Sequence, residues 1–116
     1  MSASCVFCRI ASKDIPSAIV YEDADVLAFR DLSPQAPTHV LVIPKRHVAS
    51  LDDVGDGDGD GALLAAMMLA ARKVAIAAGL ARGYRIVTNC GPDAGQSVAH
   101  LHLHVLGGRP MSWPPG

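Results

Sequence analysis

The sequence predicts an α+β fold with a largely antiparallel sheet. Three observations carry that prediction: short β-rich runs fill the first third of the chain, one long helical segment follows, and two further strands close it.

Residues 19–21 (Ile19-Val20-Tyr21) and 26–29 (Val26-Leu27-Ala28-Phe29) read as a hairpin about the turn-like Glu22-Asp23-Ala24-Asp25. Ser33-Pro34-Gln35-Ala36-Pro37 is a Pro-punctuated loop. Residues 39–44 are nearly all apolar, which implies a strand buried on both faces. Residues 62–78 are rich in Ala, Leu and Met, with neither Pro nor Gly until Gly79 stops the helix. Leu63, Met67, Ala70 and Val74 line one helix face, and Leu64, Met68 and Ala71 form a second strip beside it. That arc is wider than one sheet contact needs, so it either serves a partner subunit or is buried within its own domain. Residues 83–88 and 100–106 are the closing strands.

The Gly55–Gly61 insert alternates Gly and Asp. Asp56, Asp58, Asp60 and Gly61 copy half of an EF-hand loop, but Met67 stands where a bidentate Glu is required, so the calcium reading fails. A flexible acidic loop leading into the helix, with Asp60 as its N-cap, is expected instead.

The totals narrow the function. A chain of 116 residues fits a single domain spanning 1–116, and half of it is apolar, enough for a core without disulfides. Ten basic against eleven acidic residues argue against a nucleic-acid binder. Residues 62–81 are the most apolar stretch, yet Arg72 and Lys73 interrupt them, so no membrane association is expected. No signal peptide is evident, and three cysteines cannot form a closed disulfide framework; a cytoplasmic location is therefore expected.

Chemistry concentrates in His100-Leu101-His102-Leu103-His104. Strand alternation would project the three imidazoles from one face, spaced about 6.6 Å apart, with Leu101, Leu103 and Val105 turned to the core. Three imidazoles in a row are not a packing solution. They can bind a metal, or one can attack phosphorus through one ring nitrogen while the other holds its proton against an acceptor. The connection Asn89-Cys90-Gly91-Pro92-Asp93-Ala94-Gly95-Gln96-Ser97 favours the second reading. Gly95 permits close approach of backbone to ligand, and Gln96, Ser97 and backbone N–H groups can donate to phosphate oxygens.

These residues resemble the histidine triad family, whose signature is His-φ-His-φ-His-φ-φ, and in particular its Hint branch. Asp31 to His39, Val42-Ile43-Pro44-Lys45-Arg46-His47, Gly95-Gln96-Ser97 and the ending Gly107 to Gly116, with Trp113-Pro114-Pro115-Gly116, extend the likeness from about Cys5 to the C-terminus. The resemblance implies a five-stranded antiparallel sheet with one long helix and a short N-terminal helix, the sheet continuing across a homodimer. It implies hydrolysis of purine nucleoside 5′-phosphoramidates: His102 attacks the α-phosphate, and water resolves the nucleotidyl-histidine. His104 and the amides near Ser97 would stabilise phosphate charge, with the Ser97 hydroxyl near the leaving group and His39 supporting from a neighbouring strand. Asp31 would take the ribose hydroxyls, although it can equally cap the turn before Ser33-Pro34. Phe7, Phe29 and Leu32 would wall the base, although both Phe side chains can equally be core. Asn89, Gly95 and Gln96 would complete the phosphate contacts, and the Trp113 tail would reach the partner's site. Ala99 and the Gly-Asp insert depart from the pattern and leave substrate preference open.

Cys5-x-x-Cys8 is half of a metal motif. By resemblance to bacterial triad proteins, His47 and His100 would complete a Cys2His2 structural zinc site, with no cofactor needed for catalysis; two reduced, packed cysteines are the plain alternative. Other functional readings on the same residues are a dinucleoside polyphosphate hydrolase, a nucleotide-binding adaptor with incidental turnover, and a zinc protein using all three triad histidines.

Overall fold

The computed structural model describes residues 4–116. Its elements in chain order are helix α1 (Val6–Ala11), strands β1 (Ile19–Glu22), β2 (Val26–Arg30) and β3 (Thr38–Pro44), helix α2 (Asp58–Ala77), and strands β4 (Tyr84–Val87) and β5 (Leu103–Gly107). The strands lie in one sheet in the order β1-β2-β3-β5-β4, and every neighbouring pair is antiparallel. Five antiparallel strands and one long helix are what the residue pattern predicts, and the short helix α1 is what the family resemblance implies.

The β1–β2 turn closes because Asp23 Oδ1 accepts the backbone N–H groups of Asp25 and Val26, each at 2.9 Å. Strand β3 sits at the centre, and Val40 to Pro44 are buried on both faces. Even-numbered β2 and β3 residues (Val26, Ala28, Val40, Val42) pack with Leu101, Leu103 and Val105 against Met67, Ala70, Ala71, Val74 and Ala75 of α2. Odd-numbered ones (Leu27, Phe29, Leu41, Ile43) pack on the opposite face against Phe7 and Ile10 of α1. The sheet therefore has a thick α2 face and a thinner α1 face; the histidines belong to the second.

Helix α2 starts earlier than the Ala/Leu/Met pattern indicates. Its first residue is Asp58 and its N-cap is Gly57, so Asp60 is not the cap. Asp60 lies inside the first turn and reaches back to the Gly55 N–H (2.7 Å) and to Arg46 (2.7 Å), while Asp58 and Asp60 offset the positive helix end. These ties recruit part of the Gly-Asp insert into the helix. At the other end, Gly79 takes φ +73°. Its N–H bonds Ile76 and that of Leu80 bonds Ala75, the paired bonds of a Schellman stop. Of the second apolar strip, Ala71 is buried and Leu64 half-buried, but Met68 is exposed, as are Leu69 and Ile76.

Strand β5 is shorter than residues 100–106. It begins at Leu103, because the preceding segment leaves the β3 ladder: the Leu101 N–H bonds Val48 O at 2.7 Å, beyond the end of β3. The expected alternation nonetheless survives, with Leu101, Leu103 and Val105 all in the α2-side core. No helix among the described residues is long and apolar enough to cross a membrane.

Candidate active site

Strands β3 and β5 bring His39, His102 and His104 together on the α1 face. His104 stands opposite Leu41 in the ladder, which places it beside His39 two residues back along β3. The His39 and His104 rings, and the His102 and His104 rings, each have centroids 5.1 Å apart. Leu103 is the first residue of β5, so His102 stands just before the strand and His104 within it. Phe7 of α1 closes the site from above, edge-on to His102 at 5.1 Å, to His100 at 5.9 Å and to Phe29 at 5.6 Å.

Hydrogen bonds settle where each proton resides. His102 Nδ1 lies 2.7 Å from the His100 carbonyl, which can only accept, so Nδ1 carries the proton and Nε2 keeps its lone pair. The Gln35 backbone N–H can only donate, and it meets His39 Nδ1 at 3.0 Å. His39 therefore carries its proton on Nε2, which donates to His104 Nδ1 at 2.9 Å. His104 is left with its proton on Nε2. One buried imidazole thus presents a lone pair, and a neighbouring one presents an N–H. A nucleophile and a donor to a developing oxyanion need that pair of opposite tautomers.

Burial holds His104 below the ordinary imidazole range, and repulsion from His102 and His39 adds to it; Asp31 opposes. Burial likewise lowers His100, against the Pro44 hydrogen bond, with repulsion from His47 and His102 contributing. A neutral His104 is what the tautomer chain requires.

Around the triad, the expected ligand-binding residues divide. Asp31 does cap its turn, Oδ1 accepting the Ser33 N–H at 2.7 Å, while Oδ2 lies 3.5 Å from His39 Nε2. Phe7 and Phe29 are buried core residues, and Leu32 is 99% exposed, so the structure does not gather the three into one wall. Gly91 and Gly95 adopt positive φ (+88° and +79°) on either side of a 3-10 turn at Pro92–Ala94. Gln96, expected as a phosphate donor, is committed internally. Its Oε1 accepts the Gly91 N–H, its Nε2 donates to Ala49 O and Val98 O, and its backbone N–H bonds Gly91 O. It shapes the loop, leaving Ser97 exposed at its end and Asn89 half-buried at its start. Sequence reasoning missed Thr88, whose hydroxyl donates to His102 O at 2.9 Å, and the Gln35 amide. Neither has a local signal: one contact ends on a backbone carbonyl, the other begins on a backbone N–H.

A second constellation adjoins the first. Cys5, Cys8, His47 and His100 bring four ligand atoms within 4.8 Å of one another. Cys5 Sγ to His100 Nδ1 and Cys8 Sγ to His47 Nδ1 are each 3.3 Å, Cys8 Sγ to His100 Nδ1 is 3.5 Å, and the two Nδ1 atoms are 3.2 Å apart. A tetrahedral zinc with ordinary Zn–S and Zn–N bonds would give S···N edges of about 3.6 Å and N···N edges of about 3.3 Å. His100 Nε2–H donates to Pro44 O at 2.9 Å, the outer bond that frees Nδ1 as a ligand. The donor set fits the metal, and no disulfide links the cysteines.

With this geometry in place, comparison with known proteins is decisive at the level of family. The sequence profile of the HIT domain matches residues 12–111. The chain belongs to the HIT domain family. An uncharacterized HIT-like protein from Synechococcus elongatus is 49% identical over 116 residues, the whole of both chains. Among solved structures, a HIT family hydrolase from Legionella pneumophila is 54% identical with a TM-score of 0.92, covering 97% of this chain and 100% of its own. A histidine triad protein from Clostridium difficile is 43% identical with a TM-score of 0.90, covering 97% and 96%. The five-stranded sheet and two helices of this HIT chain match those neighbours.

Proposed function

We propose that this HIT chain hydrolyses purine nucleoside 5′-phosphoramidates as a member of the Hint branch. One observation carries the reading: His102 is buried with Nδ1–H fixed on a carbonyl, so its Nε2 lone pair is the site's nucleophile. His102 Nε2 bonds to the α-phosphorus as the P–N bond to the leaving amine breaks, and the leaving nitrogen takes up a proton from solvent beside the exposed Ser97 hydroxyl. Water then displaces the imidazole and releases the nucleoside monophosphate. His104 donates Nε2–H to a phosphate oxygen through both steps, with His39 behind it and Asn89 and the Ser97 N–H beside it; Gly95 and Gln96, whose N–H groups bond Pro92 O and Gly91 O, shape the loop that carries Ser97. Asp31 Oδ2 serves the ribose and exposed Leu32 meets the base, while Phe7 and Phe29 back the site from the core. The Hint-like segments around these residues support the phosphoramidate assignment.

We further assign structural zinc to Cys5, Cys8, His47 and His100, supported by edge lengths and by two thiolates balancing one dication. Strand β4 is an edge of the sheet, and Met68, Leu69 and Ile76 are exposed on α2. Both features support a homodimer in which β4 pairs with β4 of a second copy. The three cysteines without a disulfide support a reducing, cytoplasmic setting.

The test is a steady-state comparison of adenosine 5′-phosphoramidate, its tryptamine derivative and diadenosine tetraphosphate, with His102→Ala as control. Turnover of the phosphoramidates and a dead variant are expected. Preference for the tetraphosphate would move the assignment to a dinucleoside polyphosphate hydrolase, and cleavage of none would refute the catalytic reading.

A further inference from the structure

The four-donor cluster and the triad share one residue. His100 faces the cluster with Nδ1, donates Nε2–H to Pro44 O, and offers its own carbonyl to His102 Nδ1. Because Nε2 carries the proton, Nδ1 is a lone pair, and it meets two sulfur atoms and another imidazole nitrogen at 3.2–3.5 Å. Two thiols can donate to these nitrogens, and as thiolates the same four atoms face inward as a ligand set for one cation.

The chain around His100 depends on how that set is filled. Residues 100–102 lie outside the β3 ladder, and among the described residues they are tied by the His100 and His102 rings, by Leu101 N–H to Val48 O and by Thr88 to His102 O. Val48 itself follows the second histidine of the cluster, His47. A cation held by His47 and His100 would therefore staple the two segments that the Val48–Leu101 bond joins. It would fix the His100 peptide on which His102 leans.

We propose that occupancy of the Cys5, Cys8, His47 and His100 cluster by a zinc-like cation sets the position and tautomer of His102, so that metal content regulates the nucleophile. This rests on the reading of His102 as nucleophile and goes beyond a metal that only fastens α1. His100 is a positioning residue, acting through its carbonyl.

The test uses nitrogen-15 NMR of the histidine rings in the full chain, zinc-loaded and chelator-stripped, with rapid-quench measurement of the nucleotidyl adduct from adenosine 5′-phosphoramidate. Loaded protein should show His102 in one form, protonated at Nδ1. Stripping should bring in the Nε2–H form and slow adduct formation on the order of tenfold, as loss of an outer-shell bond does. Cys5→Ser keeps the test sound if the stripped chain unfolds. Cys5 is the N-cap of α1, its Sγ accepting the Cys8 N–H at 3.4 Å, and serine is a preferred cap but a poor zinc ligand. The variant should remain folded, lose zinc and show the same mixed His102.

An unchanged His102 signal in a folded, zinc-free chain overturns the proposal, as does failure of the wild type to bind zinc. Absence of adduct in every state would instead refute the catalytic reading, because the ring-nitrogen signals report the coupling independently of turnover.

Discussion

Thr88→Val isolates the support of the nucleophile from its chemistry. The hydroxyl donates to the His102 carbonyl at 2.9 Å across 14 residues, fastening the end of β4 to the turn that presents the ring. Valine keeps the shape and branching and removes only the donor, leaving a carbonyl of a buried residue without that partner. A hydrogen bond of this kind contributes about 1 kcal/mol net. In a domain of this size that loss lowers the melting temperature by about 4 °C.

The catalytic consequence is larger than the thermal one. Displacing a reacting group by about 1 Å can cost on the order of a hundredfold, so a shift of about half that predicts roughly a tenfold fall in kcat/KM. The fall should appear mainly in kcat, because the Thr88 hydroxyl acts through the His102 backbone. Thermal melts and steady-state kinetics on adenosine 5′-phosphoramidate read both effects, and Thr88→Ser should restore most of each. If Thr88→Val melts like wild type and keeps kcat/KM within about twofold, the hydroxyl does not position His102, and the account of how β4 supports the site is wrong.

Three further outcomes are expected. His104 is held neutral by burial in the folded chain, so the native state binds fewer protons than the unfolded one: stability should be full above the ordinary value of 6.5 and fall as the pH drops through it, with His104→Gln flattening the slope in urea melts at about pH 7.5 and 5.5. Phe7→Ala should cost about 3–5 kcal/mol by denaturant unfolding, since the ring is buried and touches Phe29, His100 and His102; a loss under about 1 kcal/mol would show that α1 is not part of the cooperative core. Gly79→Ala should cost about 1–2 kcal/mol through backbone strain alone, because a Cβ there meets nothing within 4 Å while φ is +73°; an unchanged midpoint would mean the helix stop relaxes freely.

Periodicity and residue type account for the parts of the fold that were legible in the sequence. Alternation placed Leu101, Leu103 and Val105 in the core and correctly set the histidines on the other face. Continuous apolar character marked β3 as central, and Gly79 marked the end of α2. The start of α2 was hidden because Gly and Asp are poor helix formers. Asp58 to Gly61 are helical through ties to Arg46 and Gly55, which no local pattern records. The start of β5 was hidden for the same kind of reason: Leu101 bonds Val48, fifty-three residues earlier.

The division runs deeper at the site. Residue type announces imidazoles and thiols, but the chemistry turns on which nitrogen carries each proton, and here backbone groups decide that. The His100 carbonyl assigns Nδ1–H to His102, and the Gln35 amide, through His39, assigns Nε2–H to His104. A backbone carbonyl looks the same whichever residue carries it, and so does a backbone amide outside proline, so no pattern in a single sequence can display them. They act only because the fold delivers them, the loop before β3 placing one and the irregular approach to β5 placing the other. The irregularity that makes β5 start late is thus the same one that brings the His100 carbonyl to 2.7 Å of the His102 ring. A regular strand from His100 onward would direct that carbonyl into the ladder and leave His102 without its tautomer-setting acceptor. The departure from strand geometry is therefore a condition of the proposed nucleophile.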